Sequence, residues 1–461
     1  MALLLVFTSL NFVVLAEDGW DGVTETPCTN GQGDPDDPYL ISTPEELAWF
    51  RTLVNTEDGA LCAKLVEDID LNGKYWKPIG GGNFSPGATS VIAFAGVFDG
   101  SGHTIKGFNI TIIGSDLAPS NRRHIGFFGY AKGTQDNYAV IKNLTIIGEI
   151  KIDSTKAQPV SYVSGICATS EYLKVSNCVS DVDITMSLGT NRKATQVGGI
   201  VGYAYRATEI VDCENVGDFL GAIAEAGGIL GSNASGAAPV KMIRCCNTGN
   251  ITTDFFTVGG LAGKTSGEVR DCYNAGSVTA NATHTTTQAS GGLIGRAQDD
   301  LDVVNCFSVG QCSFADTDYT GAVYGYMDAA YTYTYDNIFY LESVCDRPCG
   351  IMSYKIPVTA MTADEISSVA FVEALNMNAG STVFKKGASH PIFLWQKEES
   401  APIGTKGDID GNGTVNATDV SELISRIAND NVPDNAVADM NGDGTVNATD
   451  VSELISVIAA E

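Results

Sequence analysis

The sequence predicts a mainly β chain, a solenoid of stacked parallel repeats with short helical caps, followed by a small all-α module. Three observations predict it. A Gly-Gly-apolar-x-Gly motif recurs at steps near 30 residues, an apolar–polar–Cys turn motif recurs in phase with it, and a doubled Asp/Asn-rich segment closes the chain.

The glycine motif reads GGIVG at 198–202, GGILG at 227–231, GGLAG at 259–263 and GGLIG at 291–295, with degenerate copies GFFG at 126–129, SGICA at 164–168 and GAVYG at 321–325. The second glycines, Gly199, Gly228, Gly260 and Gly292, are spaced by 29, 32 and 32 residues. The other half of the repeat is VSNC ending at Cys178, IVDCENVG at 210–217, MIRCCNTG at 242–249, VRDCYNAG at 269–276 and VVNCFSVG at 303–310. A unit this small cannot bury its own apolar face, but units stacked about 4.8 Å apart bury a continuous one. Equivalent residues then lie above one another, so Cys178, Cys213, Cys245, Cys272 and Cys306 are expected to form an inward ladder. The small apolar thiol suits a narrow interior. No histidine accompanies the ladder, so it reads as packing and not as a metal or catalytic site.

These repeats resemble the GLUG motif, found in repetitive bacterial surface proteins and beside the catalytic part of IgA-specific metallopeptidases. The resemblance extends to the lead-in PYLISTPEELAWFRTLVN (38–55), KLVEDIDLNGKYWKPIG (64–80) and FAGVFDGSGHTIKGFNI (94–110), and covers roughly residues 38–396. It implies a right-handed parallel β-solenoid, or β-helix, over residues 17–397.

Open solenoid ends expose strand edges and need covering. Thr43-Pro44-Glu45-Glu46 is a helix start, with Thr43 as N-cap, Pro44 at the first position and Glu46 completing a capping box. Leu47, Phe50, Leu53 and Val54 give this helix, near 44–55, one apolar face. A C-terminal cap is expected near 362–396, with a helix over 362–376 and a final strand in SHPIFLWQ (389–396). Residues 398–407 read as a linker.

Residues 3–16 are almost wholly apolar, too short to span a bilayer comfortably, and carry Val14 and Ala16 where signal cleavage selects small residues. Residues 1–16 therefore read as a signal peptide, and a secreted, extracellular or cell-surface protein without a membrane span in the mature chain is expected. The balance of 55 acidic against 27 basic residues argues against nucleic-acid binding. Cys28 with Cys62, and Cys345 with Cys349, are candidate disulfides in an oxidising compartment.

The segment DIDGNGTVNATDVSELISRIA (408–428) aligns with DMNGDGTVNATDVSELISVIA (439–459), 17 of 21 positions being identical. Each copy opens with a 12-residue loop of EF-hand type. The first offers Asp408, Asp410, Asn412, the Thr414 carbonyl, Asn416 and Asp419; the second offers Asp439, Asn441, Asp443, the Thr445 carbonyl, Asn447 and Asp450. Hard oxygen ligands in this number favour Ca2+, one ion per loop and two in all. Each loop runs into a helix with apolar positions Val420, Leu423, Ile424 and Ile427, or Val451, Leu454, Ile455 and Ile458. A loop followed by one helix, twice, resembles a type I dockerin over 408–461. The resemblance implies a cohesin domain of a scaffold protein as partner, recognised through Ala417-Thr418 and Ala448-Thr449. The family's position seventeen is apolar here, as Ile424 and Ile455.

Chains carrying such modules are often glycan-degrading, and parallel β-helices include pectin lyases and polygalacturonases. No paired carboxylates stand out as a glycosidase site, and none of the four histidines begins a His-Glu-x-x-His zinc motif. No catalytic residue is assigned. The reading is a non-catalytic, adhesive or glycan-binding solenoid, with a polysaccharide or cell-surface ligand. The alternative is a docked polysaccharide lyase or glycoside hydrolase.

Overall fold

The computed structural model describes residues 19–81, 92–113, 123–154, 161–188, 195–236, 239–254, 257–281, 289–315, 319–327, 330–345, 347–350, 357–396, 407, 409, 415, 417–428, 438–440 and 445–458. Residues 1–16 and most of the linker lie outside them. The described residues fall into two compact units, one within 1–366 plus 374–381 and the other within 367–373 plus 382–461. No helix among them is long and apolar enough to cross a membrane.

The first unit is mainly β, built from parallel ladders with few helices. Each short strand pairs with its equivalent one repeat later. Thr195–Gly198 pairs with Ser161–Ser164 on one side and Glu225–Gly227 on the other, and the same sheet continues through Thr257–Gly259, Ser290–Gly291 and Thr320–Gly321. The register puts Gly198, Gly227, Gly259, Gly291 and Gly321 in one column. A second, longer sheet stacks the following strands, such as Val201–Ala204 on Leu230–Asn233. Stacking of equivalent positions is thus met in the backbone register.

The corner between the two sheets supplies the core. Ile166, Ile200, Ile229, Leu261, Leu293 and Val323, the apolar residues after each glycine pair, are all fully buried. Full burial of such a side chain contributes roughly 1.5–3 kcal/mol, so the column is a main source of cohesion between coils.

The cysteine ladder forms as expected. Cys178, Cys213, Cys245, Cys272 and Cys306 are fully buried. Each Sγ donates to the carbonyl two residues earlier, at 3.1–3.4 Å. The residue before each adopts a left-handed conformation, with φ of 52–56° at Asn177, Asp212, Arg244, Asp271 and Asn305. Asn and Asp tolerate that region, which explains the Asn/Asp-Cys pairs of the repeat. Arg244 is the exception in kind. Asp212 of the preceding coil holds its guanidinium through two bonds of 2.6 and 2.7 Å. Neither candidate disulfide, Cys28–Cys62 or Cys345–Cys349, is formed in this structure. Cys62 instead accepts from the Val97 amide at 3.3 Å.

A helix over Pro44–Thr56 matches the expected start. Thr43 Oγ1 accepts from the Glu46 amide at 3.2 Å, while Glu46 reaches back one residue further than expected, to the Ser42 amide at 2.8 Å. Leu47, Phe50 and Val54 are buried, with Phe50 6.1 Å from Phe98 of the adjoining strand. Trp76 stacks on Phe127 at 5.0 Å nearby, and large rings fill this first part of the core. Later in the chain come helices Ala363–Ile366 and Val369–Ala379. The strand expected in 389–396 forms over Pro391–Phe393, but it pairs antiparallel with Phe384–Lys386 in a separate hairpin. Alternating apolar residues make a strand there without specifying its partner.

Candidate functional site

The C-terminal module contains helices Ala417–Ala428 and Ala448–Ile458. They share a core of Ile409, Leu423, Ala438, Met440, Val446 and Leu454, with Val415, Val420, Ile427, Val451 and Ile458 packed around it. Two of the helically spaced apolar positions stand outside this core. Ile424 and Ile455 are each 50% exposed. Each follows a fully buried leucine by one residue, which turns it about 100° off the packed stripe. The two exposures are equal because the two copies are nearly identical in sequence.

Among the expected oxygen ligands, Asp408, Asp410, Asn412, Thr414, Asn416, Asn441 and Asp443 lie outside the described residues. Three of the other five are carboxylates drawn out of water. Asp419 and Asp450, at the twelfth position of each loop, are fully buried, and Asp439, at the first position of the second, is 8% exposed. Asp419 Oδ1 accepts from the Ile409 amide at 2.8 Å, closing the first loop across ten residues. Asp450 Oδ2 accepts from the Asn447 amide at 2.8 Å, while Asn447 Oδ1 accepts from the Thr449 amide at 2.9 Å. Asn447 therefore caps the second helix, and Thr445 presents its carbonyl beside it, 3.1 Å from Asn447 Nδ2. Ala417, Thr418, Ala448 and Thr449 are exposed at the start of the two helices. Buried carboxylates in an all-oxygen set fit a hard divalent cation, since burying a charge is costly without a counter-charge.

Two features of the repeat unit went unread in the sequence. The first is a stripe of aromatic side chains in which Tyr162 is buried and His124, Tyr130, Tyr203 and Tyr205 are half-buried. Tyr162 and Tyr203 stack with centroids 4.7 Å apart, His124 stacks on Tyr130 at 5.4 Å, and Tyr205 bonds Tyr162 hydroxyl to hydroxyl at 2.7 Å. The second is a cleft of about 550 Å³ lined by Lys241, Glu268, Asp299, Asp300, Asp302 and Tyr331 among others. Three of its four acids are engaged: Glu268 pairs with Arg270 at 2.9 Å, Asp299 accepts from Ser235 and the Gly236 amide at 3.0 and 2.6 Å, and Asp300 accepts from the Thr332 amide at 2.8 Å.

Paired oxygen-rich loops, each closing on a helix, define a calcium-type docking module at the C-terminus. Residues 406–459 match the family model of the dockerin type I domain. Such domains bind calcium and attach their chains to cohesin-bearing scaffolds, typically outside cells. A 193-residue stretch, 42% of this chain, is 28% identical to halomucin of Haloquadratum walsbyi (strain DSM 16790 / HBSQ001), and it spans 2% of that protein's length. A solved structure from Bacteroides ovatus, provisionally named an immunoglobulin A1 protease, is 20% identical with a TM-score of 0.48, over 80% of this chain and 95% of that one.

Proposed function

We propose that this is a secreted or cell-surface protein in which a non-catalytic, polymer-binding β-solenoid is attached to a cohesin-bearing scaffold through a dockerin holding two calcium ions. The observation that carries the reading is the dockerin match over 406–459 together with the fully buried Asp419 and Asp450 at equivalent loop positions.

On this reading, residues 17–397 wind as a right-handed parallel solenoid of GLUG type, which the parallel ladders and stacked glycine column support. Residues 398–407 link it to the module at 408–461. Asp408, Asp410, Asn412, Thr414, Asn416 and Asp419 hold one ion; Asp439, Asn441, Asp443, Thr445, Asn447 and Asp450 hold the other. Bound calcium supplies the counter-charge that lets these carboxylates converge, so metal binding and folding of the module are coupled. Ala417, Thr418, Ala448 and Thr449 then stand exposed for a cohesin, and Ile424 and Ile455 add matched apolar contacts.

The second reading, a docked carbohydrate-active enzyme, draws on the acidic cleft around Glu268, Asp299 and Asp302. The first is preferred because several of those acids hold turns through backbone amides or pair with a neighbouring cation. The test is capture of the full chain on immobilised type I cohesin with calcium or with chelator, beside an assay for reducing-sugar and unsaturated-product release. Calcium-dependent capture without release is expected. Release abolished by Asp302→Asn, with the fold intact, overturns the non-catalytic reading.

A further inference from the structure

Five aromatic rings, one buried and four half-exposed, gather where strands of the short sheet meet strands of the long one. His124 and Tyr162 are in register on the short sheet, followed by Gln196 and Glu225. Tyr130 and Tyr203 lie on strands of the long sheet, in register through Thr169. The two rows meet. Tyr162 stacks on Tyr203, Tyr205 stands edge-on to Tyr203 at 4.7 Å, and His124 Nδ1 lies 2.6 Å from Thr169 Oγ1. Tyr130, Tyr203, Tyr205 and His124 remain half-exposed. Tyr162, 3% exposed, is the buried floor of the cluster, and the other four rings lie over it toward solvent.

We infer that this stripe is a binding groove for a neutral polysaccharide chain lying across successive coils. The inference rests on the polymer-binding reading above and names its site and ligand class. Half-buried tyrosines present an apolar face and a polar edge, the combination favoured at recognition surfaces. The face suits the C–H side of a sugar ring. The phenols, with Gln196 and Glu225 beside them, suit its hydroxyls. Tyr130 and Tyr203 stand two strand spacings apart in one register column, so an extended ligand that touches both runs across successive repeats.

Charge selects a neutral chain. The cations along the stripe are matched by acids: Lys132 pairs with Glu171 at 3.3 Å and Lys264 with Glu225 at 3.0 Å. Tyr130 donates to Glu171, and Gln196 donates to Glu225 at 3.1 Å. A polyanion meets no uncompensated positive field here, and the chain as a whole carries a formal charge of −28.

The experiment is affinity electrophoresis of the full chain, with calcium, through gels containing soluble glucan, xylan, galactomannan or, as polyanion, polygalacturonate. At least one neutral polymer should retard it. Tyr203→Ala should weaken that retardation about tenfold, one anchor's worth of binding energy. Tyr138→Ala, at a half-buried ring pair elsewhere, should leave it unchanged. Tyr205→Ala, nearer the rim, gives the same readout should Tyr203→Ala not fold. Retardation by polygalacturonate alone, by no polymer, or by a neutral polymer equally in folded Tyr203→Ala and Tyr205→Ala overturns the inference. Cohesin capture measured on the same samples separates the two claims: intact capture with no glycan retardation removes the groove and leaves the docking reading standing.

Discussion

A Cβ atom built on Gly228 would lie 2.2 Å from both Cγ and Oδ1 of Asn247. The same holds one coil either side, where Gly199 abuts Asn215 Oδ1 at 2.1 Å and Gly260 abuts Asn274 Cγ at 2.2 Å. The second glycine of the first three Gly-Gly motifs is therefore the seat of the asparagine in the following ENVG, CNTG or YNAG turn, and at Gly292 Ser308 takes that place. Those asparagines are fully buried and bonded in a row, Asn215 Nδ2 to Asn247 Oδ1 and Asn247 Nδ2 to Asn274 Oδ1, each at 2.8 Å. Each Nδ2 also donates to the carbonyl two residues on, Gly217, Gly249 or Gly276, at 2.8–2.9 Å. A buried polar row bonded in this way joins one repeat to the next, with Asn215 Oδ1 at its end left unpartnered.

Gly228→Ala is expected to destabilise the repeat unit by about 1–3 kcal/mol, as overpacking does. Asn247→Ala should cost a similar ~1–3 kcal/mol by stranding buried partners. The double variant should cost less than the sum, because the two residues compete for one space. Denaturant midpoints of the four proteins check this. Strict additivity would mean that the two motif halves act independently.

The ladder thiols should resist labelling in the native state and react quickly on unfolding. Burial and neighbouring thiols push Cys213 and Cys272 well above their usual ionisation. A thiol raised in the folded state contributes stability that is present below its unfolded pKa, near 9.0, and lost as pH rises beyond it. Native labelling should therefore stay slow to alkaline pH and accelerate only with unfolding. Rapid native labelling would contradict the inward ladder.

His390 sits 7% exposed in the hairpin of the second unit, and burial lowers its pKa from 6.5 to about 4. A depressed histidine favours the folded state when neutral, so its contribution is present above pH 6.5 and declines as pH falls toward 4. The full loss is about 3 kcal/mol. Melting of the wild type between pH 7 and 4 should show a decline that His390→Gln flattens. Parallel curves for the two proteins would exclude His390 as the cause.

The repeat was legible because in-register stacking copies a residue type from coil to coil, as the glycine and cysteine columns show. The asparagine row sat in the same quoted turns, yet the cysteines drew the reading. Its physical cue, a Gly-Gly that needs a large polar neighbour, exists only in three dimensions. The oxygen loops were legible because each places its ligands within twelve consecutive residues. Helical spacing alone did not separate Ile424 and Ile455 from the packed positions, because it admits a wider stripe than the narrow contact between two short helices uses. The tyrosine stripe was illegible: Tyr162 and Tyr203 belong to different coils and different sheets, and neither follows the repeat.

Calcium titration of the chelated full chain by calorimetry, with far-ultraviolet circular dichroism on the same samples, tests the central claim most directly. Two ions per chain should bind, with a gain in helix signal. Asp419→Ala and Asp450→Ala should each remove one ion, and each should weaken capture by cohesin. Binding of no calcium, or wild-type stoichiometry retained in both variants, would contradict the account of a module assembled by calcium at its two loops.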